Sequence, residues 1–295
     1  MKRFTIILPL YNDWKSLSTL LNQIGFLFKK SKYFIDVLLI NDSSSKINRY
    51  KLNQKKIFKS IKIINLKKNI GSQKAIATGI KYINENKKKF SNKFIILDSD
   101  GEDDPKKIID ILHLIEKNKN IKVITLNRAL RKESLFFSIL YELHLFITFL
   151  FTFNYIRFGN FTFIDSKIIN KISKKNDLWL AYAATLNKFF RDRKIITAPR
   201  KKRISGKSKM SYFNLVVHSL KIQSVYKKNI FFSYFIYSIL MIFFISFGLS
   251  LNLAFFFIFV FIVHIIIINY VTKNNNKEIT FKNCLNNVIS VKNYK

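Results

Sequence analysis

From Ile230 to Val271 the chain carries no charged side chain. One bilayer crossing takes roughly 20 apolar residues, so this run is long enough for two crossings joined by a tight turn. The only turn candidate inside it is Ser246-Phe247-Gly248-Leu249-Ser250-Leu251-Asn252. Lys227 and Lys228 precede the run, Lys273 and Lys277 follow it, and the turn is uncharged. By the positive-inside rule, both ends of such a hairpin face the cytoplasm. The alternative is a buried hairpin in a soluble protein, but no polar face interrupts either half, as an amphipathic core helix would require. His264 reads as a packed side chain rather than a proton relay. At the other end, Met1-Lys2-Arg3 leads into a short apolar run and then Tyr11-Asn12-Asp13, with no small-residue cleavage site. The expectation is therefore a multi-pass protein of the inner (cytoplasmic) membrane, with its folded N-terminal part and both termini cytoplasmic.

Lys and Arg number 52 against 17 Asp and Glu, a formal net charge of +35. Hydrophobic residues make up 49%, too many for a disordered polycation, so a core can be buried. A nucleic-acid partner is not expected, because the charge comes with no basic-aromatic recognition module. The single cysteine, Cys284, excludes a disulfide framework and a cysteine-based zinc site.

Ahead of the hairpin, strand and helix signals alternate. Phe4–Leu10, Asp36–Ile40, Ile61–Leu66, Phe94–Leu97 and Ile121–Leu126 are short apolar runs. Between them, Leu17, Leu20, Leu21 and Ile24 share a helical face, as do Ile76, Ile80 and Ile83, and then Ile108, Leu112 and Ile115. Continuous apolar strands separated by amphipathic helices indicate a mostly parallel, Rossmann-like α/β sheet covered on both faces. Ligands of such sheets bind at the carboxyl ends of the strands. The scarce turn residues Pro9, Gly71 and Gly101 all fall there.

Five of the 17 acidic residues are gathered in Asp98-Ser99-Asp100-Gly101-Glu102-Asp103-Asp104-Pro105, directly after the fourth strand. In an extended segment Asp98 and Asp100 point the same way. Two carboxylates on one side of a strand end suit a hard divalent cation, Mg2+ or Mn2+, that also holds phosphate oxygens. Helix capping accounts for part of the cluster, with Asp103 or Asp104 as cap and Pro105 at the first helical position.

Leu8-Pro9-Leu10-Tyr11-Asn12-Asp13 resembles the P-x-Y-N-[ED] opening of family 2 glycosyltransferases with the GT-A fold. Asn41-Asp42-Ser43-Ser44 is similar to their D-D-G-S turn, and Asn69-Ile70-Gly71-Ser72-Gln73-Lys74-Ala75 to their N-x-G-x-x-x-A segment. Asp98-x-Asp100 matches their metal motif. Later pieces resemble the polyprenyl-phosphate branch, similar to dolichyl-phosphate mannose synthase. They are Asn127-Arg128-x-x-Arg131-Lys132-Glu133, Gly159-Asn160-Phe161 and Arg203-x-x-Gly206-x-Ser208-Lys209, together with the two-helix tail. Asn41 and Ser43 replace the usual Asp and Gly, and Glu102 stands where that branch often has Gln. The resemblance implies a nucleotide-sugar donor contacted by Pro9, Tyr11, Asp13, Asp42 and Asp98, and a metal held by Asp98 and Asp100. It implies a second set, Arg128, Arg131, Arg203 and Lys209, for the acceptor phosphate and the leaving diphosphate.

The implied organisation is a GT-A catalytic domain over 1–228, a transmembrane hairpin over 229–272 and a basic cytoplasmic tail over 273–295. Within the first domain, Leu135–Phe153 is nearly apolar, but Glu142 near its middle penalises a crossing, so an interfacial helix is expected. A basic amphipathic helix over about 211–228 leads to the hairpin. The resulting expectation is inverting, metal-dependent transfer of a sugar from its nucleotide to a polyprenyl phosphate at the membrane. The alternative is transfer to a hydroxyl of a cell-surface glycan or glycolipid. A hydroxyl needs a general base, and Asn176-Asp177-Leu178 is the closest match to one downstream of the acidic turn.

Overall fold

The computed structural model describes residues 2–45, 56–128, 135–206 and 212–294. In chain order the elements are β1 (Lys2–Leu10), α1 (Trp14–Phe28), β2 (Tyr33–Asn41), β3 (Phe58–Leu66), α2 (Ser72–Glu85), β4 (Lys93–Ile96) and α3 (Lys107–Lys117). They continue with β5 (Val123–Arg128), α4 (Leu135–Thr152), β6 (Phe158–Asp165), α5 (Ser166–Ile172), α6 (Tyr182–Phe189) and β7 (Lys194–Ala198). The last are α7 (Tyr212–Val225), α8 (Lys227–Ser246), α9 (Leu251–Asn275) and β8 (Val288–Asn293).

The strands form one sheet in the order β7-β5-β6-β4-β1-β2-β3-β8. The central pairs β4-β1, β1-β2 and β2-β3 are parallel, as is β5-β7. β6 runs antiparallel between β4 and β5, and β8 antiparallel beside β3. The central strands are apolar on both faces because helices cover both. Phe4, Ile6, Leu8, Val37 and Leu39 of one face pack with Leu17, Leu20, Leu21 and Ile24 of α1 and with Ile108, Ile111 and Leu112 of α3. The register pairs Leu10 with Asn41, so the turns after β1 and β2 emerge side by side, and Leu97 N donates to Ile7 O at 3.3 Å, extending β4 toward the same edge. α3 begins later than its Asp-Pro start signal suggests: Asp104 Oδ1 accepts from Lys106 N at 3.0 Å, and the first regular turn opens at Lys107.

The chain divides into two compact units that interleave in sequence. The first comprises Met1–Lys132, Arg157–Lys209 and Ile279–Lys295, and the second Glu133–Ile156 and Met210–Glu278. This grouping differs from the organisation expected from the sequence in two places. α4 and α7, assigned to the catalytic domain, group with α8 and α9 instead, because their apolar surfaces pack on one another. The expected basic tail is neither separate nor free. Lys273 to Asn275 complete α9, and β8 covers the edge of β3, whose backbone groups need a partner. Tyr294 N donates to Ile61 O at 2.9 Å, Lys67 N to Asn287 O at 2.8 Å and Trp179 Nε1 to Ile279 O at 3.0 Å, while Phe281 and Cys284 are buried.

In the second unit α8 and α9 are long and apolar enough to cross a membrane, with mean hydropathy 1.9 and 2.9. Only 17% and 11% of those windows are buried among the described residues. The turn between them falls where the sequence places it, and Ser250 Oγ caps α9 by accepting from Leu253 N. His264 is packed, its Nδ1 on Tyr234 OH and its Nε2 on Gln223 Oε1 at 2.8 Å.

Candidate active site

The site is built on the turns after β1, β2 and β4. Asp13 occupies the cap position of α1 but makes no capping bond. Its carboxylate instead pairs with Arg203, whose Nη1 also donates to Asp100 Oδ2 at 3.2 Å. Arg203 Nε donates to the Ser205 carbonyl at 3.0 Å, and Ser205 Oγ meets Ser16 Oγ at 2.7 Å. One guanidinium thus joins two turns and the 200–206 segment. Burial works against its charge, yet the hydrogen bond and charge of Asp13, followed by Asp100 and Glu102, hold it more firmly protonated than usual.

The acidic turn is shaped by Gly101, whose φ of +78° belongs to the left-handed region. Glu102 N donates to Asp100 Oδ1 at 3.0 Å. Burial first, and the charge of Asp98 second, push the Asp100 carboxyl above the ordinary carboxylate range. The segment is a turn rather than the extended stretch expected, with β4 ending at Ile96, and the charge of Asp98 still reaches Asp100. Asp98 is oriented by a relay absent from the candidate list drawn from the sequence. Asn160 Nδ2 donates to Asp98 Oδ1 at 2.8 Å, Gln73 Nε2 donates to Asn160 Oδ1 at 3.0 Å, and Tyr182 N donates to Gln73 Oε1 at 2.9 Å. Both residues stand inside recognised segments, and that position is the signal by which they can be found.

Asp42 also holds the corner of the site together. Its side chain is buried, with Oδ1 accepting from Ile70 N and Oδ2 from Gly71 N, both at 2.8 Å. Burial pushes its carboxyl up, against those two amides and Lys74. It ties the turn after β2 to the entry of α2, where Gly71 has a φ of +85°. Asn41 supports the same corner, its Nδ2 donating to Asn65 Oδ1 at 2.8 Å and its Oδ1 accepting from Ser44 N at 3.1 Å. Pro9 is buried at the end of β1, and Tyr11 beyond it is exposed at the mouth of the turns. Arg128 is the last residue of β5, in register with Ala198. Arg131 and Lys209 lie outside the described residues. Asp177 is paired with Lys188 at 2.7 Å.

Among the described residues no three His, Cys, Asp or Glu side chains converge as a complete metal cage. Two crowded carboxylates still fit a divalent cation of the Mg2+ type. Such ions bind through one or two protein carboxylates and take their other ligands from water and substrate phosphates.

A mixed, mostly parallel sheet with paired carboxylates on the turn after a central strand has the architecture of a GT-A nucleotide-sugar enzyme. The profile of glycosyl transferase family 2 matches residues 5–174, more than half of the chain, and the chain belongs to that family. No curated protein sequence matches the chain. Among solved structures it is similar to TarS 1–349 of S. aureus, with 15% identity and a TM-score of 0.46, over 77% of this chain and 65% of that one. It is also similar to glucosyl-3-phosphoglycerate synthase of Mycobacterium tuberculosis, solved with Mn2+, UDP-glucose and phosphoglyceric acid. There the identity is 9% and the TM-score 0.49, over 78% of this chain and 80% of that one. The chain thus spans just under two thirds of the TarS chain.

Proposed function

We propose that this glycosyltransferase is held at the inner membrane by α8 and α9, and moves a sugar from a nucleotide-sugar to a polyprenyl phosphate with inversion. The observation that carries the reading is that the sheet is completed by chain from both sides of the hairpin, β1 to β7 before it and β8 after it. A sheet does not straddle a bilayer, which supports a reading with both ends of the hairpin on one side, and Lys227, Lys228, Lys273 and Lys277 favour the cytoplasm for that side. Exposed apolar residues of α4, among them Ile139, Leu143, Phe146 and Leu150, suit an interfacial helix.

In the proposed reaction an acceptor phosphate oxygen attacks the anomeric carbon, the bond from that carbon to the donor diphosphate breaks, and a nucleoside diphosphate leaves. A phosphate monoester has a second pKa of about 6 and is already a nucleophile at neutral pH. The ion pair between Asp177 and Lys188 accords with a site that needs no base there. Asp98 and Asp100 would hold a divalent cation, which when bound neutralises charge developing on the leaving diphosphate. Asn160 and Gln73 keep Asp98 aimed, and Arg203, Arg128, Arg131 and Lys209 are the cations proposed for the acceptor phosphate and the leaving diphosphate.

The test supplies the purified full-length enzyme with polyprenyl phosphate and a panel of labelled sugar nucleotides. The expected product is lipid-soluble and released by mild acid, as a glycosyl phosphate is. Asp177→Asn retains transfer, whereas Asp100→Asn loses the metal-dependent reaction while melting like the wild type. An acid-stable product, or loss of transfer in Asp177→Asn, would instead establish a hydroxyl acceptor.

A further inference from the structure

Residues 200–204 lie across the acidic turn and pair with it step by step. Lys201 N donates to the Glu102 carbonyl at 2.8 Å and Ile204 N to the Asp100 carbonyl at 3.2 Å. The Ile204 side chain sits over Gly101, so close that a Cβ there would stand 2.1 Å from Ile204 Cδ1. Arg200 pairs with Glu102, Lys201 with Asp104 at 3.0 Å, and Arg203 with Asp100 and Asp13. The Arg203 side chain is 14% exposed, against 47% for Lys201, and it alone of these three bridges carboxylates from two different turns.

Asp98 and Asp100 repel each other, and a positive charge must balance them when no metal ion is bound. Arg200 and Arg203 both supply positive charge to Asp100, and Arg203 also makes contact with it. Arg203 Nη1 donates to Asp100 Oδ2 at 3.2 Å, an oxygen that a hard cation also needs, so guanidinium and cation compete for one carboxylate. A diphosphate offers Arg203 another anion, one that a guanidinium can hold through two N–H groups. Resting on the metal and donor reading above, we propose that Arg203 is a built-in counter-cation of Asp100 that yields to the metal only when a nucleoside diphosphate draws it away. Cation and donor then enter as one ligand, and each strengthens the other by the same factor.

The experiment titrates Mn2+ into the full-length protein in detergent, reading free ion by electron paramagnetic resonance, with and without UDP or GDP. Wild type binds Mn2+ weakly alone and at least about tenfold more tightly with the matching nucleoside diphosphate, within the usual range of site coupling. Arg203→Gln binds Mn2+ alone more tightly than wild type, and its nucleotide enhancement shrinks. Lys201→Gln removes the same charge without touching Asp100 and stays at the wild-type value. Arg203→Lys retains a charge but cannot span both carboxylates, so it tightens Mn2+ by less, and it serves if the Gln variant fails to fold. The proposal is overturned if neither Arg203 variant tightens Mn2+ binding, or if Lys201→Gln tightens it equally. If no variant and no wild type binds Mn2+ even with nucleotide, the metal reading itself falls, and this inference with it.

Discussion

Replacing Gly101 by alanine tests whether the acidic turn is held in its shape by the segment lying on it. The residue has a φ of +78°, where an L side chain costs about 1–2 kcal/mol. The new Cβ would also meet Ile204 Cδ1 at 2.1 Å and Cγ1 at 2.5 Å, but Cβ of Ile204 at an ordinary 3.5 Å. Only the outer part of that half-buried side chain must move, so rotation relieves the collision at a cost of about 0.5–1.5 kcal/mol. The two effects together come to roughly 1.5–3.5 kcal/mol, or about 3–14 °C in melting temperature for a unit of this size. Activity falls further, because Asp100 directly precedes the strained residue and Asp98 lies three positions before it, and a misplacement near 1 Å costs on the order of 100-fold. A double variant, Gly101→Ala with Ile204→Ala, removes the collision and keeps the backbone strain. Melting of the single and double variants in detergent, with sugar transfer measured in parallel, separates the terms. The double variant recovers about 1 kcal/mol relative to the sum of the two single changes. Wild-type melting of Gly101→Ala, or strict additivity in the double variant, would refute the reasoning.

Asn160→Ala removes the amide that aims Asp98 and lowers Mn2+ affinity in the presence of nucleoside diphosphate about 10–100-fold, the range for partners behind metal ligands. Gln73→Ala does the same to a smaller degree, and unchanged affinity in both would reduce the relay to simple packing. A variant ending at Glu278 loses β8, the Trp179 to Ile279 hydrogen bond and the buried Phe281. Burial of one Phe side chain alone is worth about 1.5–3 kcal/mol, so limited proteolysis cuts the first unit much faster, and equal resistance would show that the strand is dispensable. Replacing Asp36, a buried carboxylate held by Arg3 and by Ser60 Oγ at 2.6 Å, with Ala costs about 3–5 kcal/mol by leaving a partner unpaired, but does not change metal affinity. Altered Mn2+ binding in Asp36→Ala would mean that the carboxyl edge senses the far end of the strands.

The five strands read from the sequence are the ones whose apolar runs are continuous and bounded by scarce turn residues. The hairpin was equally legible, since uncharged length is a local property. β6 was not, because Gly159 and Asn160 sit inside it and read as a turn, and its antiparallel place between β4 and β5 is set by distant partners. β8 looked like a tail because Ser290, Lys292 and Asn293 dilute its alternation. The acidic turn was legible by composition, but the identity of its counter-ion was not. Asp13 and Arg203 are 190 residues apart, and any of the many cations would have served a reading based on type alone. Asp42 shows the opposite limit. The motif marked the position correctly as part of the strand-end corner, while two backbone amides, invisible to sequence, claim both carboxylate oxygens.

The interleaving of the two units has a consequence for how the active site comes to exist. β3 leaves the sheet with an open edge from Phe58 to Leu66, and the strand that covers it comes in the chain only after α8 and α9. Until then a flat apolar strand carries unpaired backbone groups, a hazard for pairing with other chains. The partner strand follows two long apolar helices in the chain. Asn65 lies in β3 and joins the strands on either side, since its Nδ2 donates to Ser290 Oγ of β8 at 3.0 Å while its Oδ1 accepts from Asn41 beside Asp42. The last strand in the chain thus reaches, through two amides, the corner that fixes the entry of α2 and the turn after β2.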